Sequence, residues 1–274
     1  MARELSAKEK KLKLRFEKGL REGDGGMFSR GRRLFGLLPS DPRCTACMAP
    51  FEGYGGKIFR NVFDIKRSTM NPLLCNRCDK MVRQFEYGAE TEMGMLFADM
   101  RGSTTLAEKM SSIEFKDLID RFYTETTHIL IHSYAVIDKL VGDEVSGYYL
   151  PTYLGKNYVK HAIKAARDML TVTGHADPGG PWAPIGIGVH FGTAYYGAVT
   201  SVEGLVDLTA LGDAVNTASR LASNAATGEI LISDAAAKQA NLDTANLISR
   251  SVELKGKSAP MDVWVMDVSS LSNV

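Results

Sequence analysis

The sequence has little that would suit a membrane or a secreted protein. None of its apolar runs approaches the roughly 20 residues that span a bilayer. The basic N-terminal stretch lacks an apolar segment and a small-residue cleavage site. Only four cysteines occur in 274 residues, and without a secretory signal they do not favour a disulfide framework. These absences predict a cytoplasmic protein.

Excess charge of either sign is also missing. The 33 basic and 32 acidic side chains leave a formal charge of +1, which gives no general attraction to nucleic acid or to an anionic membrane. We therefore expect neither as a partner. A hydrophobic share of 45% supports one core of roughly 150–200 residues together with a smaller module.

Periodicity indicates mixed α and β structure after residue 92. Strand patterns occur at 93–99, 134–141, 144–150, 185–191, 195–201, 229–232, 247–254 and 261–267. Helical patterns occur at 103–131 with a break near Met110, and at 154–173, 213–224 and 233–240. This order favours an α+β fold in which helices cover one face of a largely antiparallel sheet.

The strand pattern at 185–189 has an unusual alternation. Three β-branched residues, Ile185, Ile187 and Val189, alternate with Gly186 and Gly188. The glycines leave one face of the strand bare, and another element or a ligand can approach that face closely.

The N-terminal third of the chain is organised differently. Residues 3–21 predict a charged helix, either solvated or contacting a partner subunit, and 22–43 predict a Gly- and Arg-rich linker. A further helix is predicted over roughly 76–88. We expect the first helix and linker to occupy 1–43, a cysteine module with its connecting helix 44–90, and the main domain 91–270.

Two aspartates follow apolar strands. Asp99 precedes the run Gly102, Ser103 and Thr104, and a carboxylate beside a Gly turn and a helix N-terminus suits a divalent cation and phosphate. The alternative is a plain helix cap. Asp143 lies in a predicted hairpin turn, where Gly-Asp is also ordinary turn chemistry. If the two strands pair, the carboxylates converge and could hold two metal ions.

A helix at 213–224 carries the other candidate polar residues. Asn216 and Arg220 are four residues apart and share a helix face, where an arginine can stabilise charge developing on phosphorus. Lys255, in a predicted turn, is a candidate phosphate ligand. An exposed polar helix face and a solvated lysine are the plainer interpretations. The buried stripe is expected to comprise Val215, Ala218, Leu221 and Ala222.

Four motifs in this order resemble the catalytic domain of class III adenylyl and guanylyl cyclases. They are LFADMRGSTTLAE, DKLVGDEV, LTALGDAVNTASRLAS and ELKGKSAP, and the resemblance runs from about 93 to 268. The separation of Asp99 and Asp143 (143 − 99 = 44) is also similar to that of the family. The resemblance implies a ferredoxin-like sheet with helices packed on it, preceded here by the small cysteine module.

The resemblance also implies a role for each matched residue. Asp99 and Asp143 would bind two Mg²⁺ or Mn²⁺ ions, and Met100 would lend one of them its backbone carbonyl. The residues expected to contact the nucleotide are Asn216 at the ribose, Arg220 at the transition state, Lys255 at the triphosphate, and Gly102, Ser103 and Thr104 at the phosphates. Many relatives carry a basic residue near the position of Gly186, and Arg101 is the candidate replacement.

Base selection is implied at two further positions. Lys139 and Thr209 resemble the pair found in bacterial and soluble adenylyl cyclases, whereas guanylyl cyclases usually carry glutamate and cysteine there. A lysine can donate to N1 of adenine but would face a proton on N1 of guanine, and a threonine can accept from the adenine amino group. The implied function is conversion of ATP to cyclic AMP and pyrophosphate by a homodimer that shares its residues across two sites.

Three alternatives remain open at this point. The chain could cyclise another nucleotide, GTP or a pyrimidine triphosphate. The GDE sequence in the hairpin, ending at Glu144, is also similar to a motif of diguanylate cyclases. A regulatory protein that binds nucleotide with little turnover is the non-enzymatic alternative.

The cysteines form two Cys-x2-Cys pairs. Cys44 and Cys47 are separated from Cys75 and Cys78 by 27 residues, a pattern typical of a tetrahedral Zn²⁺ site. An iron–sulfur cluster is the alternative, and a redox dithiol is less favoured because one pair would suffice for it. The second pair leads directly into the helix before Asp99, so the module could sense a signal or brace a dimer.

Overall fold

The computed structural model describes residues 10–11, 14, 17–19, 34–35, 42–44, 47–69, 72, 74–84, 88–200 and 206–268. Most of the helix predicted at 3–21 and of the linker predicted at 22–43 lies outside these residues. The described residues fall into two compact units: one is drawn from 1–91, 151–155 and 195–211, the other from 92–150, 156–194 and 212–274. The boundaries predicted at 43/44 and 90/91 stay a prediction.

The helices and strands alternate along the chain after the cysteine module. In chain order they are α1 (Gly53–Phe63), α2 (Asn76–Gln84), β1 (Gly88–Met100), α3 (Ser103–Lys109), α4 (Ser112–His132), β2 (Val136–Val141), β3 (Glu144–Tyr149), α5 (Pro151–Leu154), α6 (Tyr158–Val172), β4 (Ile185–Thr200), β5 (Val206–Leu211), α7 (Asp213–Asn224), β6 (Ile230–Ser233), α8 (Asp234–Ala240), β7 (Ile248–Val252) and β8 (Met261–Met266).

The strands form one sheet in the order β2-β3-β1-β4-β6-β8-β7, and β5 pairs with β4 beside this path. The pairs β1–β3, β2–β3, β4–β5, β6–β8 and β7–β8 are antiparallel, whereas β4 and β6 are parallel. A largely antiparallel sheet combined with helices confirms the predicted α+β class.

The predicted break near Met110 has a local cause. Helix α3 ends at Lys109, and Ser111 caps the start of α4. The Ser111 hydroxyl accepts from the Glu114 N–H at 3.3 Å, while the Glu114 carboxylate accepts from the Ser111 N–H at 2.8 Å. This reciprocal capping box satisfies backbone donors that a helix start would otherwise leave unpaired.

Several elements differ from the sequence prediction. The helix predicted over roughly 76–88 is α2, described as Asn76–Gln84, and β1 begins at Gly88, five residues before the strand predicted at 93–99. Strand β4 is one continuous strand of 16 residues, not two strands at 185–191 and 195–201. Strand β5 and helix α1 were not predicted. The helix expected at 154–173 begins only at Tyr158, after the short α5 and one 3₁₀ turn. Both the extension of β4 and the existence of β5 depend on their pairing with each other in a hairpin, from Tyr195 with Leu211 to Thr200 with Val206.

Helix α7 lies directly on the bare face of β4. A Cβ atom added at Gly188 would come within 2.8 Å of Leu221 Cβ and closer still to the backbone of Ala218 and Ala222. At Gly186 it would meet the Ala225 carbonyl oxygen at 2.7 Å. The element that approaches this glycine face is therefore a helix, and side chains larger than hydrogen would push it away.

The first unit has a small core of its own. Phe51, Phe59, Ile65 and Leu74 are buried around Cys44, Cys75 and Cys78. Helix α1 contributes Phe59 from its buried face and ends at Asp64, which adopts a left-handed conformation (φ 47°). Among the described residues this core is small, and small modules commonly depend on a bound metal for stability.

Within the described part of the chain, no helix combines the length and the apolar character that crossing a bilayer requires.

The contact between α7 and β4 generates a stability prediction. Gly188→Ala is expected to lower the free energy of unfolding by about 1–3 kcal/mol, because the new Cβ overlaps the α7 backbone. Gly179→Ala is the control, since a Cβ at that position meets no heavy atom within 4 Å. Chemical denaturation of both variants tests this, and equal midpoints would show that α7 does not lie on β4.

Candidate functional site

The two predicted metal aspartates lie close together in the second unit, Asp99 on β1 and Asp143 in the turn between β2 and β3. Asp99 is at the end of β1, where its backbone pairs with Glu144 at the start of β3. The N–H of Met100 donates to the Asp143 carbonyl at 3.1 Å, so the hairpin turn lies directly beside the end of β1. The Tyr123 hydroxyl donates to the Gly142 carbonyl at 2.7 Å and holds the same turn from α4.

This carboxylate edge, defined as Asp99, Asp143 and Glu144, concentrates negative charge in a half-buried place. Burial raises the pKa of Asp99; Arg101 opposes this effect and Asp143 adds to it. Burial also raises the pKa of Glu144, and the nearby Asp99 carboxylate acts in the same direction. Carboxylates that repel one another in a desolvated place are suited to neutralisation by hard divalent cations.

Arg101 joins the carboxylate edge to α7. Its guanidinium forms an ion pair with Asp99, and its Nη1 donates to the Ser223 carbonyl at 2.8 Å. A second link runs from Ser219, whose hydroxyl donates to the Glu144 carboxylate at 3.3 Å. Arg101 was expected as a replacement phosphate ligand, and here it contacts protein groups. At Gly186, near the position where the resemblance implied a basic residue in many relatives, the close approach of Ala225 leaves no room for a side chain.

Asn216 and Arg220 lie on α7 as predicted. Asn216 is exposed and Arg220 half-buried, while Ala218, Leu221 and Ala222 are buried and Val215 only half-buried. The Arg220 guanidinium lies beside Gly256: a Cβ there would be 3.4 Å from its Nη2. Since Gly256 follows Lys255 directly, the structure brings Arg220 to the turn that carries the predicted triphosphate ligand.

A second lysine of that turn was missed by the sequence analysis. Lys257 forms an ion pair with Asp213, the first residue of α7, and this pair lowers the pKa of Asp213. The contact attaches the turn to the start of α7 and leaves Lys255, which is exposed, as the lysine available to a ligand. The resemblance gave a role to Lys255 alone, and no pattern in the sequence indicated the ion pair of Lys257.

The remaining predicted nucleotide contacts lie at separate places in the chain. Gly102 adopts a left-handed conformation (φ 68°) just before α3, where Ser103 and Thr104 occupy the first turn. Lys139 lies on β2, at a point where the register with β3 shifts between Ile137 and Leu140. Thr209 lies on β5 in the first unit, where it is buried and pairs with Gly197.

The four cysteines meet in the first unit. The Sγ atoms of Cys44, Cys47, Cys75 and Cys78 all lie within 4.8 Å of one another. Two backbone groups point at them: the Cys75 N–H is 3.3 Å from Cys44 Sγ, and the Cys78 N–H is 3.4 Å from Cys75 Sγ. Hydrogen bonds among the four thiols lower the pKa of Cys44 and Cys75 and raise the pKa of Cys47 and Cys78, as expected where thiols are crowded together. These residues could therefore hold a metal ion.

Comparison with protein families places most of the chain in one of them. Residues 85–267 match the adenylate and guanylate cyclase catalytic domain. An adenylate cyclase from Anabaena cylindrica is 25% identical over 223 residues, which cover 76% of this chain and 43% of that protein. A guanylyl cyclase C from Sus scrofa is 30% identical over 188 residues, covering 65% of this chain and 17% of that protein. The chain thus spans less than half the length of these relatives.

Solved structures of cyclases have the same fold. The adenylyl cyclase CyaB from P. aeruginosa superposes with a TM-score of 0.58 at 26% identity, over 66% of this chain and 96% of that one. The guanylyl cyclase Cya2 superposes with the same TM-score of 0.58 at 22% identity, over 65% and 92% of the two chains. The similarity confirms the cyclase fold, and it includes enzymes named for each of the two purine nucleotides.

Proposed function

Since the chain belongs to the family of adenylate and guanylate cyclase catalytic domains, we propose that it converts ATP to 3′,5′-cyclic AMP and pyrophosphate as a homodimer. The observation that carries this proposal is the carboxylate edge, where Asp99 and Asp143 are brought together by the bond between Met100 N–H and the Asp143 carbonyl. Hard oxygen ligands at one edge suit a pair of Mg²⁺ or Mn²⁺ ions.

The carboxylate edge would serve the reacting atoms of ATP. Asp99 and Asp143 would bind the two cations, and the Met100 carbonyl would complete the ligands of one. When bound, such cations lower the pKa of the ribose 3′-hydroxyl for attack on the α-phosphorus and stabilise the leaving pyrophosphate. Gly102, Ser103 and Thr104 would direct backbone N–H groups to the phosphates.

Helix α7 and the turn that contains Lys255 would supply positively charged groups for the phosphates of ATP. Asn216 would orient the ribose, Arg220 would stabilise the charge that grows on phosphorus, and Lys255 would bind the triphosphate. The position of the Arg220 guanidinium beside Gly256 supports this grouping, because it keeps the arginine and the lysine turn together. Ser219 and Arg101, bonded to Glu144 and to the Ser223 carbonyl, would hold α7 in place.

Preference for ATP rests on Lys139 and Thr209. The lysine would donate to adenine N1 and the threonine would accept from the adenine amino group, whereas guanine offers the opposite hydrogen-bonding pattern at both positions. In the family that this chain resembles, the metal aspartates come from one subunit and the base-selecting and transition-state residues from the other. One chain carries both sets, so a homodimer would have two equivalent sites.

We also propose that the four-cysteine centre, comprising Cys44, Cys47, Cys75 and Cys78, binds Zn²⁺. Zinc–sulfur bonds of about 2.3 Å in a tetrahedron place neighbouring sulfurs about 3.8 Å apart. The Sγ atoms of Cys47 and Cys75 are separated by 3.8 Å. An iron–sulfur cluster contains several metal atoms and spreads its four thiolates further apart than a single ion does, so the separation of at most 4.8 Å among all four Sγ atoms favours a single ion such as zinc.

The catalytic proposal is tested with purified protein, each of the four nucleoside triphosphates, and Mg²⁺ or Mn²⁺. We expect cyclic AMP and pyrophosphate from ATP, identified by mass spectrometry, and little product from GTP. Asp99→Ala and Asp143→Ala should each lower kcat at least 10³-fold, a loss of about 4 kcal/mol of transition-state stabilisation. Near-full turnover by either variant, with an unchanged circular dichroism spectrum, would contradict the metal assignment.

The shared-site proposal is tested by mixing two inactive variants. Asp99→Ala and Arg220→Ala each damage both sites of their own homodimer. In a mixed dimer one site receives Asp99 from one subunit and Arg220 from the other, so that site is intact. Random exchange makes about half of the dimers mixed, and activity should recover to roughly a quarter of the wild-type value. No recovery after exchange, verified by mass spectrometry of the intact dimers, would exclude sites shared between subunits.

The zinc proposal is tested by elemental analysis. Wild-type protein should contain about one zinc per chain, and Cys75→Ser should lose most of it, because a hydroxyl is a poor ligand for zinc. Lys80→Ala, an exposed change on the same helix, should retain the metal. Protein that contains neither zinc nor iron when purified without chelators would rule out a metal at these cysteines.

A further inference from the structure

The four-cysteine centre and the strand that carries Thr209 belong to the same compact unit. Helix α2 begins immediately after Cys75 and holds Cys78 in its first turn. The same helix contacts β5. Thr209 lies in the middle of β5, paired with Gly197 of β4. A single helix of nine residues therefore connects two ligands of the centre to the strand of the proposed base-selecting threonine.

A second contact fixes the other strand of the β4–β5 hairpin. Strand β1 begins at Gly88, four residues after α2 ends, and the Tyr195 ring of β4 lies on its backbone. A Cβ at Gly88 would be 2.6 Å from Tyr195 Cε2 and closer still to Cζ and Oη. The Tyr195 hydroxyl donates to the Ala198 carbonyl at 3.3 Å, so the ring is also held from its own strand. Only glycine allows this approach.

Because of these two contacts, the position of the β4–β5 hairpin depends on the position of α2 and of the segment that follows it. The segment that follows the centre touches β5 through α2 and β4 through Gly88. A tetrahedral ion that ties Cys75 and Cys78 to Cys44 and Cys47 would restrain the start of α2 directly, because one of these ligands precedes the helix and the other lies in its first turn. Loss of that restraint would loosen β5 while leaving the carboxylate edge, which lies in the second unit, with its own packing.

We propose that the four-cysteine centre positions Thr209 for recognition of the nucleotide base, so that its metal content determines how well the enzyme distinguishes ATP from GTP. This rests on the proposed cyclase activity and on the proposed role of Thr209. The cysteines are positioning residues, since they act through α2 and β5 and touch no reacting atom.

The first test compares kcat/KM for ATP and GTP in Cys75→Ser, Thr209→Ala and the double variant. Cys75→Ser should lower the ATP-to-GTP ratio about tenfold, the equivalent of one hydrogen bond, mainly through KM for ATP. In the Thr209→Ala background the same change should have little further effect on that ratio. A drop of equal size in both backgrounds would mean that the centre does not act through Thr209, and would overturn the proposal.

Gly88→Ala separates the position of the hairpin from the presence of the metal. It should keep its zinc yet shift the ATP-to-GTP ratio in the same direction as Cys75→Ser, because the new Cβ displaces the Tyr195 ring. Gly179→Ala is the matched control and should change neither property. A ratio unchanged from wild type in correctly folded Gly88→Ala would contradict positioning through the hairpin.

The last test needs no turnover and is therefore independent of the proposed activity. Zinc is removed from wild-type protein with a chelator and then restored, and hydrogen exchange is followed by mass spectrometry. Removal should speed exchange at residues 206–211 at least tenfold, with little change at 93–99, and zinc should reverse the effect. Equal protection of 206–211 in both forms would show that the metal does not hold β5 and would overturn the proposal.

Discussion

The close contact between α7 and the bare face of β4 is the constraint on which the candidate active site depends. Gly186 and Gly188 bring the helix backbone against the strand, at a distance that any side chain would prevent. The depth at which α7 lies determines whether Ser219 can reach Glu144 and whether Arg101 can reach the Ser223 carbonyl. Two glycines of a buried strand therefore decide how far helix α7, which carries the proposed catalytic residues, lies from the carboxylate edge.

Helix α7 concentrates its polar contacts on one face. The hydroxyl of Ser219 donates to Glu144, and the Ser223 carbonyl accepts from Arg101, so both residues link the helix to the strands of its own chain. Asn216 and Arg220 share this face, because residues three, four and seven positions apart lie on the same side of an α-helix. Arg220 also lies beside the Lys255 turn. In the proposed dimer, one helix face would therefore both hold α7 in its own chain and present Asn216 and Arg220 to the nucleotide.

In the first unit, the position of one helix would likewise affect a distant functional residue, here the proposed base-selecting Thr209. Its four cysteines, helix α2 and the β4–β5 hairpin form one compact unit, although residues 84 and 206 are far apart in the sequence. A metal that restrains α2 would act on a strand more than a hundred residues away. If zinc content controls the position of Thr209, zinc supply becomes an input to the choice of nucleotide, and catalytic residues of the second unit need not move.

The sequence by itself determined the α+β class, the cyclase family and the four-cysteine pattern, because each depends on local periodicity or on short ordered motifs. It also predicted the approach of an element to Gly186 and Gly188, since a missing side chain is visible in the sequence. It did not predict β5, the continuity of β4, the pairing of Lys257 with Asp213, or the links of α7 to Glu144 and Arg101. Only the tertiary structure decided these, because the ion pair of Lys257 and the links of α7 join residues at least 44 positions apart, and the length of β4 and the existence of β5 depend on the pairing of the two strands.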